Sequence, residues 1–247
     1  MVCDTFVYHP WVTHLIKFLD TTAGREKVLR FLQYLSRFIA FTSKSVKAKS
    51  LQLQFLLIRK VLRFLKPLNH IQLASKLFDN KLSSQDPVVR LANVAKNVFL
   101  AIYLGLDQIN LLRLFKILPV GSNVKINGII NYKVPRWANY FWLFSILSGI
   151  VSDVRSIQTA DFELQQVALE DSKIDDSEEG SIRETEILIK KIRQAKGGAT
   201  RKLVWDLLDS VIVLNNLNYM KSRDDVVGLS GVITSVFGVQ DVWKAIK

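Results

Sequence analysis

The chain has 247 residues, with 34 Lys and Arg against 22 Asp and Glu, a formal charge of +12, and a hydrophobic fraction of 49% beside 23% charged residues. That balance points to an anionic partner, nucleic acid or a phospholipid surface, and the apolar fraction fits a protein that buries surface in lipid as well as in itself. The single cysteine, Cys3, excludes an intramolecular disulfide and a cysteine-based zinc site and favours a reducing compartment.

The amino-terminal stretch carries Asp4, His9, His14 and Asp20 where a secretory signal needs an uninterrupted apolar core, so no signal peptide is read there. His9 and His14 are five apart, off the i, i+4 face and without further ligands, so neither a metal nor another cofactor is expected. Thr5 to Thr13, with Pro10, reads as irregular, and Thr13 reads as the cap of a short helix through Phe18 and Leu19. From Arg25 the pattern is clear: Val28, Phe31, Leu32, Leu35, Phe38 and Ile39 share one helical face, with Arg30, Gln33 and Arg37 mainly outside it, predicting a helix that ends near Thr42 and Ser43.

After a lysine-rich interruption, Gln52 to Asp79 forms the most informative stretch. Leu57, Val61, Phe64, Leu68 and Ile71 recur at helical spacing on one face, while Arg59, Arg63, Lys66 and His70 repeat it on the other and Lys60 lies at the edge. A surface helix on a soluble core and a helix lying in a membrane interface both have this pattern. In the membrane reading the five apolar residues insert, and Arg59, Lys60, Arg63 and Lys66 meet lipid phosphates. Pro67 predicts a kink or break.

Asp79 to Pro87 reads as a turn, and Pro87 suits the first position of the next helix. Between Val88 and Leu118 apolar residues cover nearly the whole circumference, but Lys96, Asp107 and Arg113 interrupt them, leaving a charge-free run too short to span a bilayer. Pro119 to Lys133 reads as a loop with a short extended segment around Ile129. Trp137 to Ser152 is uncharged, opens on Trp137, Tyr140 and Trp142 as an interfacial anchor would, and offers Ser145 and Gly149 as a small face for helix contact. Asp171 to Ser181 reads as an acidic hinge, and Gly197-Gly198 as a second one. In the last segment Asp206 and Asp209 share a face, with Lys202 as ion-pair partner of Asp206 and a solvated edge as their expected place. Gly228, Gly231, Ser235 and Gly238 permit close helix packing, which suits homo-oligomers.

The fold class read from this is all-α, with amphipathic helices and one or two hydrophobic helices of the kind that enter a membrane. Four regions follow: 1–86 basic and amphipathic, 87–152 hydrophobic, 153–202 a charged hinge, and 203–247 a second hydrophobic region. Residues 1–80 hold thirteen Lys and Arg against four Asp and Glu, interleaved with Leu, Phe, Val and Ile, and no nucleic-acid module appears, so an anionic phospholipid membrane is the expected partner. No nucleophile or ligand set accompanies the carboxylates, so no enzyme is expected.

Several stretches, VYHP at 7–10, GREKVLRFLQYLSRF at 24–38, RKVLRFLKPLNHIQLASKLFDNKL at 59–82, VPRWANYFWLFSILSGI at 134–150, and LVWDLLDSVIVLNNLNY through LSGVITSVFGVQDVWKA, resemble the fungal peroxin-eleven proteins. The resemblance implies a mostly helical protein of the peroxisomal membrane that elongates the membrane before division, self-associates, works with a fission adaptor and a dynamin-related GTPase, and is linked to medium-chain fatty acid oxidation. It also places that family's inserting amphipathic helix at about Gln52 to Asp79. A rival reading, a pore for small metabolites, would line a polar path with Asp107, Arg113, Asp206 and Asp209.

Overall fold

The computed structural model describes residues 7–79, 86–118, 128–171 and 179–246. Cys3, most of the loop expected after Pro119, and residues 172–178 of the acidic hinge lie outside them. Among the described residues the chain is helical with no strand, in keeping with the all-α reading: α1 (Pro10–Asp20), α2 (Thr22–Thr42), α3 (Val46–Leu62), α4 (Lys66–Phe78), α5 (Pro87–Leu114), a π-helical turn (Ile129–Lys133), α6 (Val134–Asp171), α7 (Glu179–Asn216) and α8 (Asp224–Ala245).

Caps explain several boundaries. Helix α1 begins at Pro10, earlier than Thr13, because proline is tolerated where no intrahelical N–H is needed and His9 Nδ1 accepts from Trp11 N at 3.2 Å. Thr21 Oγ1 accepts from Gly24 N at 2.9 Å and starts α2. The expected break near Pro67 falls at Arg63 to Leu65, where Leu65 takes a left-handed φ of 60° before Pro67 enters the first turn of α4. Ile129 lies in the π-helical turn and not in an extended segment. Gly197 and Gly198 lie inside α7, an unbroken helix, so the second hinge is not there.

Helices α2, α3, α5, α6, α7 and α8 close into a ring, with α4 laid against α5. The register of its antiparallel pairs can be followed rung by rung. Between α6 and α7 the rungs are Asn139 to Asn216 at 3.3 Å, Gly149 against Asp206, and Asp161 to Lys196 at 2.5 Å, and just past the end of α7 Tyr219 meets Tyr140 at 2.9 Å. Between α2 and α8 they are Phe38 against Gly228, Tyr34 against Gly231, and Arg30 to Thr234 at 3.0 Å. Helices α6 and α7, at 38 residues each, run about 57 Å, against about 33 Å for the 22 residues of α8. Their distal halves therefore continue past the ring as a charged hairpin.

The small residues are spent inside the chain. A side chain at Gly228 or Gly231 would collide with Phe38 or Tyr34, and one at Gly149 with Asp206 and Lys96. The face of Gly228 and Gly231, expected to suit contacts between copies, instead allows α8 to sit tightly on α2, and Gly149, on the face expected to serve helix contact, does so for α6 on α7.

Candidate functional site

Ordinary helical bundles put charge outside and hydrocarbon inside; this ring reverses both. Along α3 and α4, Val61, Phe64, Leu68 and Ile71 are 44%, 52%, 60% and 56% exposed, and Leu57 is half-buried. On α5 and α8, Val98, Ile102, Leu229, Ile233 and Val236 also face outward. The centre holds charged and polar groups: a cavity of about 1220 Å³ runs from Asp241 and Lys27 at one end of the ring to Asn139 and Asn216 at the other, with apolar residues such as Leu100, Leu104 and Ile146 interspersed in its wall.

The four basic residues read as phosphate-facing are turned toward this cavity. Arg59, 6% exposed, donates from Nε and Nη2 to Glu26 Oε1 at 3.1 and 2.9 Å and from Nη1 to Gln33 Oε1. Lys60 pairs with Asp107, and Arg63 reaches Asp107 Oδ2 at 3.3 Å and Tyr103 Oη at 3.5 Å. Lys66 lines the cavity half-buried, and His70 meets Asn97 Oδ1 at 3.0 Å. Helical periodicity thus grouped these residues correctly on one face, and the structure shows that this face points in.

The same inversion governs α2 and α7. Gln33 is buried and Arg30 and Arg37 line the cavity, whereas the sequence reading had them mainly off the packed face. Asp206 and Asp209 are buried, not a solvated edge: Asp206 accepts from Lys96 at 2.9 Å in place of Lys202, and Asp209 from Arg30 at 2.6 Å. Of the four residues named for a polar path, Asp107, Asp206 and Asp209 line the cavity, while Arg113 turns to Asn131 at 2.9 Å. Sequence reasoning missed Glu26, Tyr103 and Asp153 as members of the lining. Asp153, the first charge after the uncharged run from Trp137 to Ser152, was an available signal, whereas Glu26, between Arg25 and Lys27, gave none.

Both ends of the ring carry aromatic groups. Trp11, His14 and Phe18 gather on Trp243 at the carboxyl end of α8, with ring centroids 6.3, 4.3 and 5.5 Å from it. Tyr140, Tyr219 and Arg136 meet at the opposite end, with the guanidinium 5.7 Å from the Tyr140 ring centre. The span between them, set by α8, is about 33 Å, close to the ~30 Å of a bilayer's hydrocarbon. Helices α5 and α8 are each long and apolar enough to cross a membrane by length and composition. Helix α5 is so although Lys96 and Asp107 interrupt its apolar run, and both of those charges are paired inside the ring, with Asp206 and Lys60.

Comparison with known proteins finds a family model and relatives that match along nearly the whole chain. The family model described as Peroxisomal biogenesis factor 11 (PEX11) matches residues 12–243. Peroxisomal membrane protein PMP27 of Saccharomyces cerevisiae is 51% identical over 245 residues, covering 99% of this chain and all of that protein. Peroxisomal membrane proteins PMP30A and PMP30B of Candida boidinii are 33% and 32% identical over 262 residues, each across the full length of both chains. No solved structure matches.

Proposed function

Because the chain belongs to the PEX11 family and is a protein of the peroxisomal membrane, we propose that it remodels and elongates that membrane, with α3 and α4 as its wedge. The observation that supports this is the outward apolar stripe, Leu57, Val61, Phe64, Leu68 and Ile71, on a bent pair of helices whose charges are satisfied inside. Each such residue gains about 1.5 to 3 kcal/mol when fully buried and roughly half that at an interface. With Arg59, Lys60 and Arg63 turned inward, attachment is chiefly apolar and only weakly sensitive to salt. Insertion into one leaflet enlarges it relative to the other, and many copies together favour curvature.

Self-association concentrates the wedges through the outer faces of α5 and α8, since the glycine faces are already filled. A fission adaptor and a dynamin-related GTPase act on the elongated membrane. The test is electron microscopy of anionic vesicles carrying the full chain. Tubules are expected with the natural protein and none with Phe64→Glu at equal incorporation; tubules that persist with Phe64→Glu end the wedge reading.

A second reading, a pore for small metabolites, draws support from the cavity itself, among whose lining residues are charged and polar groups from Lys27 and Asp241 to Asn139 and Asn216. Conductance across a planar bilayer that falls in Asp107→Asn and Asp206→Asn is its expected signature. Equal conductance in all three proteins would remove it.

A further inference from the structure

The ring is not sealed in the same way all round. Helix α5 packs on α6 through Phe99 with Phe141 and Phe144 and through Tyr103 stacked on Trp142, and α2 packs on α8 through glycines. The sparsest seam is between α3 and α5, and charge closes it: Lys60 and Arg63 reach across to Asp107 beside the left-handed Leu65. Ion pairs between helices separate and re-form without repacking a core, so this seam can part sideways while the rest holds.

What lies on either side of the seam is different in kind. Outside are Phe64, Leu68, Ile102 and Ile109, all exposed and apolar. Immediately inside are Arg59, Lys66, His70 and Asn97. Farther in, the α6 and α7 wall supplies Asp153, Asp206 and Asp209. The buried Arg30 Nε, Asn110 Oδ1 and Asp153 Oδ2 have no protein partner among the described residues, so the lane retains polar groups able to receive a guest.

We propose that this protein moves phospholipids between leaflets, the headgroup passing through the α3–α5 seam into the polar interior while the acyl chains stay in the bilayer. The lane carries both signs of charge, which suits a zwitterionic headgroup of the phosphocholine or phosphoethanolamine type. Arg59 and Lys66 receive its phosphate, and Asp153 and Asp206 its cationic amine. A charged headgroup cannot cross hydrocarbon cheaply, and charged and polar groups along the cavity lower that barrier. The lipid-phosphate role first read for the basic face is then kept, with the lipid coming to the residues. Elongation adds a reason: a growing tubule must enlarge both leaflets.

The inference rests on the membrane location in the reading above and further needs the ring to stand across the bilayer, so incorporation is measured separately, by flotation of the vesicles after alkaline washing. Protein in phosphatidylcholine vesicles containing a tail-labelled fluorescent phosphatidylcholine, its fluorophore quenched by external dithionite, is expected to expose the inner leaflet's label as well as the outer. A Lys60→Cys, Asp107→Cys pair on a Cys3→Ser background, bridged by a bis-methanethiosulfonate linker, is expected to return quenching to the outer leaflet's share. Reduction of the linker restores the full loss and shows the variant folded. No inner-leaflet quenching by well-incorporated natural protein would overturn the proposal, as would undiminished quenching by the bridged form. Equal quenching of trapped, water-soluble NBD-glucose would also overturn it, because that outcome marks an aqueous pore.

Discussion

Two seams of one ring are closed by opposite means. Helix α8 lies on α2 by shape: Gly228 and Gly231 let Phe38 and Tyr34 come so close that no side chain could be added. Helix α3 meets α5 by charge, with Lys60 and Arg63 on Asp107 at the point where the helix breaks. A seam made by shape has one geometry and fails when anything larger is put into it. A seam made by charge fails when one partner is removed, yet tolerates replacement of the whole set. The contrast separates the part of the protein that must stay shut from the part that can move.

The largest expected effect comes from leaving charge unpaired. Asp107→Ala strands Lys60 and Arg63, and removing one partner of such a buried set costs about 3 to 5 kcal/mol. The measurement is a thermal or denaturant melt in detergent, and a loss near zero would show that the seam is already wet. Gly231→Val comes next, because its added methyl groups meet the Tyr34 ring; overpacking of this kind costs about 1 to 3 kcal/mol. Lys60→Met with Arg63→Met and Asp107→Leu should leave stability within about 1 kcal/mol of the natural chain, since an apolar set of similar volume replaces a buried ionic one at little cost. If the comparison is right, that triple variant still forms tubules but no longer moves labelled lipid across the bilayer. Loss of both would mean that the two seams do not differ in function.

Much of this architecture is legible in the residues. The helix near Arg25 to Thr42, the break by Pro67, and the grouping of Phe64 with Leu68 and of Arg59 with Arg63 all follow from periodicity and from proline's missing N–H. The direction of each face is not legible, because a 3.6-residue period says which residues sit together and is silent on which group points in. Charges inside apolar helices looked like interruptions for the same reason. Lys96 and Asp206 are 110 positions apart in the chain, and only the fold shows that each is the other's partner. Gly197-Gly198 read as a hinge because glycine weakens helices; the neighbouring residues, packed against α6 with Lys196 on Asp161, hold the helix through it.

The smallest effect lies where the ring meets the hairpin. Asp86 caps α5, accepting from Val88 N at 2.8 Å, and takes a hydrogen bond from Arg155 Nε at 2.7 Å. The bond from Arg155, helped by the Val88 amide, holds its carboxyl below the ordinary carboxylate range. A lowered folded value means that the contribution is fully present above the unfolded value and disappears as pH falls through the folded one. Asn at this position keeps the cap and loses the charge. The natural chain should therefore melt slightly above Asp86→Asn at about pH 6, with the gap narrowing as pH falls below the ordinary carboxylate range. A gap that stays constant over that range would assign the difference to the cap and leave the hairpin's link to α5 without an electrostatic part.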